Sequence, residues 1–188
     1  KGLIYVEAIM YMFNPARELL KDAITKIGKI TSVHFDFSQL SSKYPAYKRG
    51  ENPNIFNPEM CTGALMDLGV YCVYFALELF GEPVKVISHS DFLESGADCT
   101  GTLIFVYDDK TVTITYSKTA NGFLGSRILG ADGAITVPFA TASFNFSSKS
   151  SYLLNVIFSV STLCGPTSTT FCIIFSVNTS CSFNISSF

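Results

Sequence analysis

The sequence has few of the residue patterns that nucleic-acid, metal and dinucleotide sites need. Its formal net charge is -2, and no cluster of Lys and Arg alternates with aromatic residues, so we expect no nucleic-acid partner. Its six cysteines form no C-x-x-C pair, and His34 and His89 have no ligand-like neighbours, so we expect no metal site. No G-x-G-x-x-G segment follows a predicted strand, which means that the phosphate cradle of a dinucleotide-binding fold is missing.

The first residues also lack the pattern of a secretory signal. Lys1–Glu7 contain no basic segment, long apolar run and small-residue cleavage site in that order. We therefore predict a cytoplasmic protein that does not bind membranes. Cys61, Cys72 and Cys99 are expected to be small buried hydrophobic residues in a reducing compartment, although an even number of cysteines leaves disulfides open.

Charge is almost absent from the last 50 residues, where Lys149 is the one charged side chain among 13 Ser, 6 Thr and 8 Phe. Three interpretations compete for this tail, residues 139–188. It could be a membrane segment, but polar residues interrupt every apolar run well short of the roughly 18 residues needed to span. It could be a glycosylated tail, because Asn145, Asn178 and Asn184 begin N-x-S/T triplets. We favour the third hypothesis, that the tail is not a native domain end but translated non-coding or frame-shifted sequence, non-native or irregular in structure, because a soluble surface normally carries charges.

The first 138 residues form the predicted domain, since 48% hydrophobic and 14% aromatic residues are typical of a globular chain. Apolar periods of 3.6 and 2 predict two helices, several strands and one long loop. In chain order these are a β-favouring run Gly2–Met12, a helix from Asn14-Pro15 to Ile27, a strand Lys29–Ser38, a loop Gln39–Glu59, a helix Gly63–Phe80, and strands Val84–Ser90, Thr102–Tyr107, Thr111–Ser117, Phe123–Leu129 and Ala134–Val137. Tight turns between the last strands predict antiparallel pairing. The predicted fold class is α+β, an open and mostly antiparallel sheet with helices packed on one face.

The loop Gln39–Glu59 is a candidate for covering a ligand. Loops of about 20 residues without regular structure are uncommon and are often functional. Tyr44, Tyr47, Lys48, Arg49 and Asn54 could contact a ligand there, and a plain surface excursion is the equally weighted alternative.

The helix Gly63–Phe80 carries the candidate chemistry. Leu65, Leu68, Cys72, Phe75 and Leu79 form a packing stripe, whereas Asp67, Tyr71, Tyr74 and Glu78 form a more polar face. Asp67 and Tyr71 are neighbours at i and i+4, so both could address one substrate hydroxyl. Asp67 could instead serve the helix dipole alone. A phenol is a poor acid–base group near neutral pH unless a cation lies close to it, and the helix itself supplies no obvious cation.

Four segments together resemble the C-terminal domain of the Gfo/Idh/MocA oxidoreductases. They are V-E-A-I-M-Y-M-F-N-P (Val6–Pro15), G-K-I-T-S-V (Gly28–Val33), the run from Asn52 to Tyr71 that contains G-A-L-M-D-L-G-V-Y, and L-F-G-E-P (Leu79–Pro83). The hairpin I-L-G-A-D-G-A-I-T-V (Ile128–Val137) extends the resemblance over roughly Gly2 to Pro138. Departures are the missing nucleotide fingerprint, Met12 where members often have Arg, and a tail that does not continue the family's last strands.

The resemblance implies the substrate-binding half of an NAD(P)-dependent oxidoreductase that acts on a sugar, polyol or diol-like substrate. It implies Tyr71 and Asp67 as catalytic residues, and we place Tyr11, Asn54 and Tyr47 in substrate binding. NAD or NADP would be bound by an upstream domain absent from this chain, and so would the family's catalytic Lys, with which Lys1 is not to be confused. The resemblance also implies a homo-oligomer formed through the sheet. We expect the chain alone to be inactive; the alternative is a non-catalytic dimerisation or binding module of the same fold.

Overall fold

A computed structural model describes residue 4, residues 9–14 and 16–137, and the backbone of four further segments, 144–148, 153–157, 172–177 and 184–186. Residues 10–13 form a 3₁₀ turn (Met10–Phe13), where the sequence had predicted that the β-favouring run continues to Met12. Helix α1 (Ala16–Lys26) follows, and it buries Leu20. Gly28 then adopts a left-handed conformation (φ +72°), which ends the helix as predicted.

The strands form one sheet in the order β10-β9-β8-β7-β6-β5-β1-β4-β3-β2. They are β1 (Ile30–Ser38), β2 (Lys85–Phe92), β3 (Asp98–Val106), β4 (Thr111–Ser117), β5 (Ser126–Gly130), β6 (Gly133–Val137), β7 (Phe144–Ser148), β8 (Leu153–Ile157), β9 (Cys172–Val177) and β10 (Asn184–Ser186). Strands β7–β10 lie in the predicted tail, and the domain boundary near residue 138 stays a prediction. The open, mostly antiparallel sheet of an α+β fold is confirmed.

One strand pair is parallel, which the turn signals did not indicate. Strand β1 pairs with β4 in register from Val33 opposite Val112 to Ser38 opposite Ser117. The crossover between them contains the long loop, the helix predicted over Gly63–Phe80 and the β2–β3 hairpin, and parallel neighbours need such a long connection. As a result, β1 and β4 both leave the sheet at the same edge, beside Ser38 and Ser117.

Both long helices pack on one face of the sheet, as predicted. Leu20 of α1 and Cys72 and Ala76 of the second helix share one core with the inward side chains of the strands. The inward side chains from the two central strands are Val33, Phe35, Val112, Ile114 and Tyr116. No described helix covers the opposite face, which carries the alternate, more polar residues of the same strands.

The predicted helix Gly63–Phe80 is present but begins with a π-helical turn (Leu65–Gly69) before helix α3 (Val70–Phe80). The whole predicted packing stripe lies in or against the core. The run Pro58–Phe80 is long and apolar enough to cross a membrane, with a mean hydropathy of 1.5, a test that the core helix of a soluble protein also passes. Its contacts with the strands are those of a core helix.

The connection that precedes this helix is more structured than expected. Helix α2 (Tyr44–Lys48) and two 3₁₀ turns, Asn54–Phe56 and Pro58–Met60, lie within the predicted loop. Cys61 follows them with a left-handed backbone (φ 52°) and is exposed, so the prediction of a buried residue was wrong there. Cys72 and Cys99 are buried as expected, and all three thiols are free.

Candidate active site

The π-helical turn Leu65–Gly69, which precedes α3, is fixed against strand β3 by Asp98. Asp98 Oδ2 accepts a hydrogen bond from the backbone N–H of Leu65 at 2.7 Å. Gly63 makes this approach feasible, since a Cβ there would lie 1.8 Å from Asp98 Oδ1. Gly69 lies close to β4, where a Cβ would meet the Tyr116 ring at 2.9 Å. Two glycines and one carboxylate therefore fix the π-helical turn on the sheet.

Asp67 lies on this turn, and its carboxylate forms an ion pair with Lys118. The Lys118 side chain is only 6% exposed, whereas that of Asp67 is 42% exposed. Because Asp98 already accepts from the first turn of the helix, Asp67 is not needed as its cap. The pairing argues against the interpretation in which Asp67 serves the helix dipole alone.

Tyr71 lies four residues after Asp67, where the π-helical turn passes into α3. Its ring is half-buried and packs edge-on against Phe37, with 5.7 Å between ring centroids. Its inner side borders a small apolar void of about 10 Å³ beside Ser126 and Val137, which leaves little room for even one water. Among the described residues none hydrogen-bonds to the Tyr71 hydroxyl. Both predicted catalytic residues thus lie on one side of the helix.

Tyr47 lies in a separate, open cleft of about 910 Å³ formed by segment 44–59 and the β2–β3 turn. Its ring packs on Phe56, and its hydroxyl accepts a hydrogen bond from the backbone N–H of Ser95 at 3.2 Å. Asn54 is exposed but does not line this cleft. Its backbone carbonyl accepts a hydrogen bond from the Thr62 hydroxyl at 2.6 Å, which ties the loop to the helix start.

Tyr11 is buried against α3, at the turn that follows Tyr71. Its ring stacks on Phe75 at 3.5 Å between centroids. Burial, and then the nearby Glu78 carboxylate, raises the pKa of Tyr11 well above its usual value. Tyr11 Oη and Glu78 Oε2 are buried without normal hydrogen-bond geometry, although the carboxylate still acts on the phenol. The contacts of Tyr11 are those of a core residue.

Glu78 anchors α1 to α3. Its carboxylate forms ion pairs with Arg17 and with Lys21, the latter at 2.7 Å. Burial alone would raise the pKa of Glu78, but the hydrogen bonds from Lys21 and Arg17 outweigh it, so the pKa is lowered. The fourth residue of the predicted polar helix face is therefore a structural ion-pair centre.

Lys118 is the residue that the sequence did not indicate. It follows directly after β4, and a lysine in that position is normally exposed. Only the parallel pairing of β1 with β4 and the packing of the helix across both strands bring it to Asp67. A charged residue just beyond a half-buried strand was the one available signal, and it is weak.

The described residues do not fit a nucleotide or a metal ion. They contain no group of three or more His, Cys, Asp or Glu side chains that could hold a metal. The one parallel strand pair there is not followed by a glycine-rich turn into a helix, so these residues form no pyrophosphate cradle.

Comparison with known proteins gives a consistent result. Residues 13–136 match the family model described as the GFO/IDH/MocA C-terminal domain. The chain is 39% identical over 135 residues to the uncharacterised oxidoreductase YgjR of Escherichia coli K12, a match that covers 72% of this chain and 41% of that protein. It is 38% identical over 136 residues to scyllo-inositol 2-dehydrogenase (NADP(+)) IolU of Bacillus subtilis 168, covering 72% and 42%.

These figures mean that the chain spans about two fifths of the length of the relatives it matches. Among solved structures, the 3-ketoreductase KijD10 from Actinomadura kijaniata, in complex with NADP and TDP-benzene, superposes with a TM-score of 0.65. That match covers 82% of this chain and 50% of KijD10 at 16% identity, which is evidence of a shared fold. The segment that matches the family model contains Asp67, Tyr71 and Lys118. Because that match covers residues 13–136, the chain belongs to the Gfo/Idh/MocA oxidoreductase family as a C-terminal domain.

Proposed function

We propose that this chain is the substrate-binding half of an NAD(P)-dependent oxidoreductase that acts on a sugar, polyol or diol-like CH–OH substrate. The observation that carries the proposal is the placement of Asp67 and Tyr71 on one side of a helix that is fixed to the sheet at its first turn. The inositol dehydrogenase named among the relatives acts on a polyol with NADP, which supports this substrate class and this cofactor.

Each of the two residues has a distinct role in the proposal. The Tyr71 oxygen accepts the proton of the substrate hydroxyl while its own proton passes to the Asp67 carboxylate. In support, the Tyr71 hydroxyl has no hydrogen-bond partner among the described residues. The Asp67 carboxylate, which Lys118 holds in place and which is partly exposed, orients the Tyr71 hydroxyl for this proton transfer. NAD or NADP accepts hydride when bound, and a nucleotide-binding domain beyond these residues would hold it.

The cleft beside Tyr47, which neither Asp67 nor Tyr71 lines, is the proposed place for a part of a larger substrate that is remote from the reacting CH–OH group. An aromatic wall with Asn and Glu side chains suits a molecule rich in hydroxyl groups, since the rings pack on its C–H faces and the polar groups bind its hydroxyls. Asn54 would act from outside, by keeping the loop on Thr62. Tyr11, which is buried on Phe75, would contribute to the site only by supporting α3.

The test is the rate of scyllo-inositol oxidation by the chain joined to a nucleotide-binding domain, with NADP as acceptor. We expect Tyr71→Phe to lower kcat by roughly 100-fold or more, the usual loss of a general acid–base group. Tyr74→Phe is the matched control, because Tyr74 lies on the same helix and is exposed. The unjoined chain should give no turnover. Equal rates for Tyr71→Phe and the parent would contradict the catalytic role.

A non-catalytic dimerisation module remains the second candidate, and the uncovered sheet face favours it. There His34 and Asp36 both contact the Thr115 hydroxyl, at 3.3 and 3.2 Å, which makes a flat, ordered polar surface. A homo-oligomer through this face would be disrupted by Thr113→Glu, which places a charge beside His34. Sedimentation of parent and variant would measure that loss of mass, and a parent that sediments as a monomer would argue against the interface.

A further inference from the structure

Lys118, which directly follows strand β4, is unusually buried for a lysine. Its side chain is 6% exposed, and lysine is rarely buried without a partner because removing the ammonium group from water is costly. The partner that the structure gives it is the carboxylate of Asp67, one of the two proposed catalytic groups. The ammonium group thus lies beneath a carboxylate that stays open to solvent.

The backbone around Lys118 is fixed on both sides. Its N–H donates to the carbonyl of Cys99 at 2.8 Å, and its own carbonyl accepts from the N–H of Ser41 at 2.8 Å. The preceding Ser117 is buried, and its hydroxyl accepts from the backbone N–H groups of Thr119 and Ala120. The ammonium group is therefore presented by the rigid ends of β1, β3 and β4 rather than by a mobile loop.

Asp67 is held from the other side by its own turn, which Asp98 and the Gly69–Tyr116 contact fix on the sheet. Two segments that are each fixed to β3 and β4 therefore meet in this one ion pair. A pair that served stability alone could be replaced by apolar residues at little cost, because burying charges is expensive. The Lys118 ammonium group is buried below an Asp67 carboxylate that is 42% exposed. This asymmetry suits a carboxylate that must keep one orientation and still reach a ligand.

We propose that Lys118 is a positioning residue, whose buried ammonium group holds the Asp67 carboxylate in a single orientation beside Tyr71. This inference rests on the proposed function for its effect on rate, but not for its effect on the conformation of Asp67. It acts through Asp67 and does not itself touch substrate.

The activity test compares Lys118→Met, Lys118→Arg and the parent in the chain joined to its nucleotide-binding domain. Lys118→Met keeps most of the length but removes the charge, and we expect kcat to fall by up to about 100-fold with KM changed much less, because misplacing a catalytic group has that effect. Lys118→Arg keeps a cation that can pair with a carboxylate, and it should restore most of kcat. The matched control is Lys110→Met, which removes another poorly exposed lysine paired with an aspartate, at the opposite end of β4.

The conformational test is made on the 188-residue chain alone and does not depend on turnover. Three-bond NMR couplings of the Asp67 side chain should show one rotamer in the parent and in Lys118→Arg, and averaged rotamers in Lys118→Met. If the parent is inactive but these couplings change as expected, the proposed function is wrong and the positioning role stands. If Asp67 keeps one rotamer in Lys118→Met, or if the parent is active and Lys118→Met has the same kcat, the proposal is overturned. Should Lys118→Met fail to fold, a folded Lys118→Arg with averaged Asp67 rotamers or without restored kcat would overturn it equally.

Discussion

The contact between Asp98 and the start of the Asp67 helix can be tested by a double-mutant cycle. Asp98→Ala removes the side-chain acceptor that lies 2.7 Å from the Leu65 backbone nitrogen and leaves that N–H half-buried without its partner. Losses of this kind cost about 1–2 kcal/mol at helix starts, and more when the acceptor is charged. We expect a loss of about 2 kcal/mol in the free energy of unfolding, which corresponds to roughly 4–8 °C in Tm for a chain of this length.

Gly63→Ala should produce the same defect by a different route. The new Cβ would lie 1.8 Å from Asp98 Oδ1, so the carboxylate must move away and release Leu65. Because both changes remove one interaction, the double variant should cost no more than the more damaging single change, rather than the sum. Urea denaturation followed by far-UV circular dichroism measures all four species.

Two control variants show whether the loss of stability comes from this contact. Asp98→Asn keeps an oxygen acceptor and should cost less than Asp98→Ala. Asp109→Ala removes a 56% exposed aspartate from a turn and should change stability by less than about 0.5 kcal/mol. Additive losses in the cycle, or an Asp98→Ala variant as stable as the parent, would show that this contact does not fix the turn.

Three further changes test other parts of the structure. Gly69→Ala should cost about 1–3 kcal/mol by urea denaturation, because its Cβ would meet the packed ring of Tyr116 at 2.9 Å. Folding lowers the pKa of Glu78, so its stabilisation is complete above the unfolded-state pKa and is lost as the pH falls through the folded-state value; Glu78→Gln should therefore flatten the acid limb of the stability–pH curve. Burial raises the pKa of the Cys72 thiol to about 12, so mass spectrometry after iodoacetamide treatment at pH 8 should find Cys61 alkylated and Cys72 intact until the chain unfolds.

Local patterns predicted most of the sheet because alternation and turn residues act over short distances. The period-2 run that became β1 buries Val33 and Phe35 as expected, and Thr111–Ser117 is strand β4 at the predicted bounds. The parallel pairing of these two strands was not predicted, since no turn signal connects segments separated by more than 70 residues. The π-helical turn was also missed; it ends at Gly69, which packs closely on Tyr116, and no sequence period marks that contact.

The residues of the candidate site differ in the same way, since local spacing predicts some of them and only the fold brings in another. Asp67 and Tyr71 could be paired from the sequence because residues four apart on a helix are neighbours whatever surrounds them. Lys118 could not, because its position depends on β1 and β4 leaving the sheet side by side, and on the helix start lying across both. The helix itself carries no obvious cation near this pair; the structure supplies one in Lys118, directly after strand β4, and it pairs with the Asp67 carboxylate. The chemistry of Asp67 is thus set by a long-range feature of the fold, and for this reason the Lys118 variants test the site more sharply than any change within the helix itself.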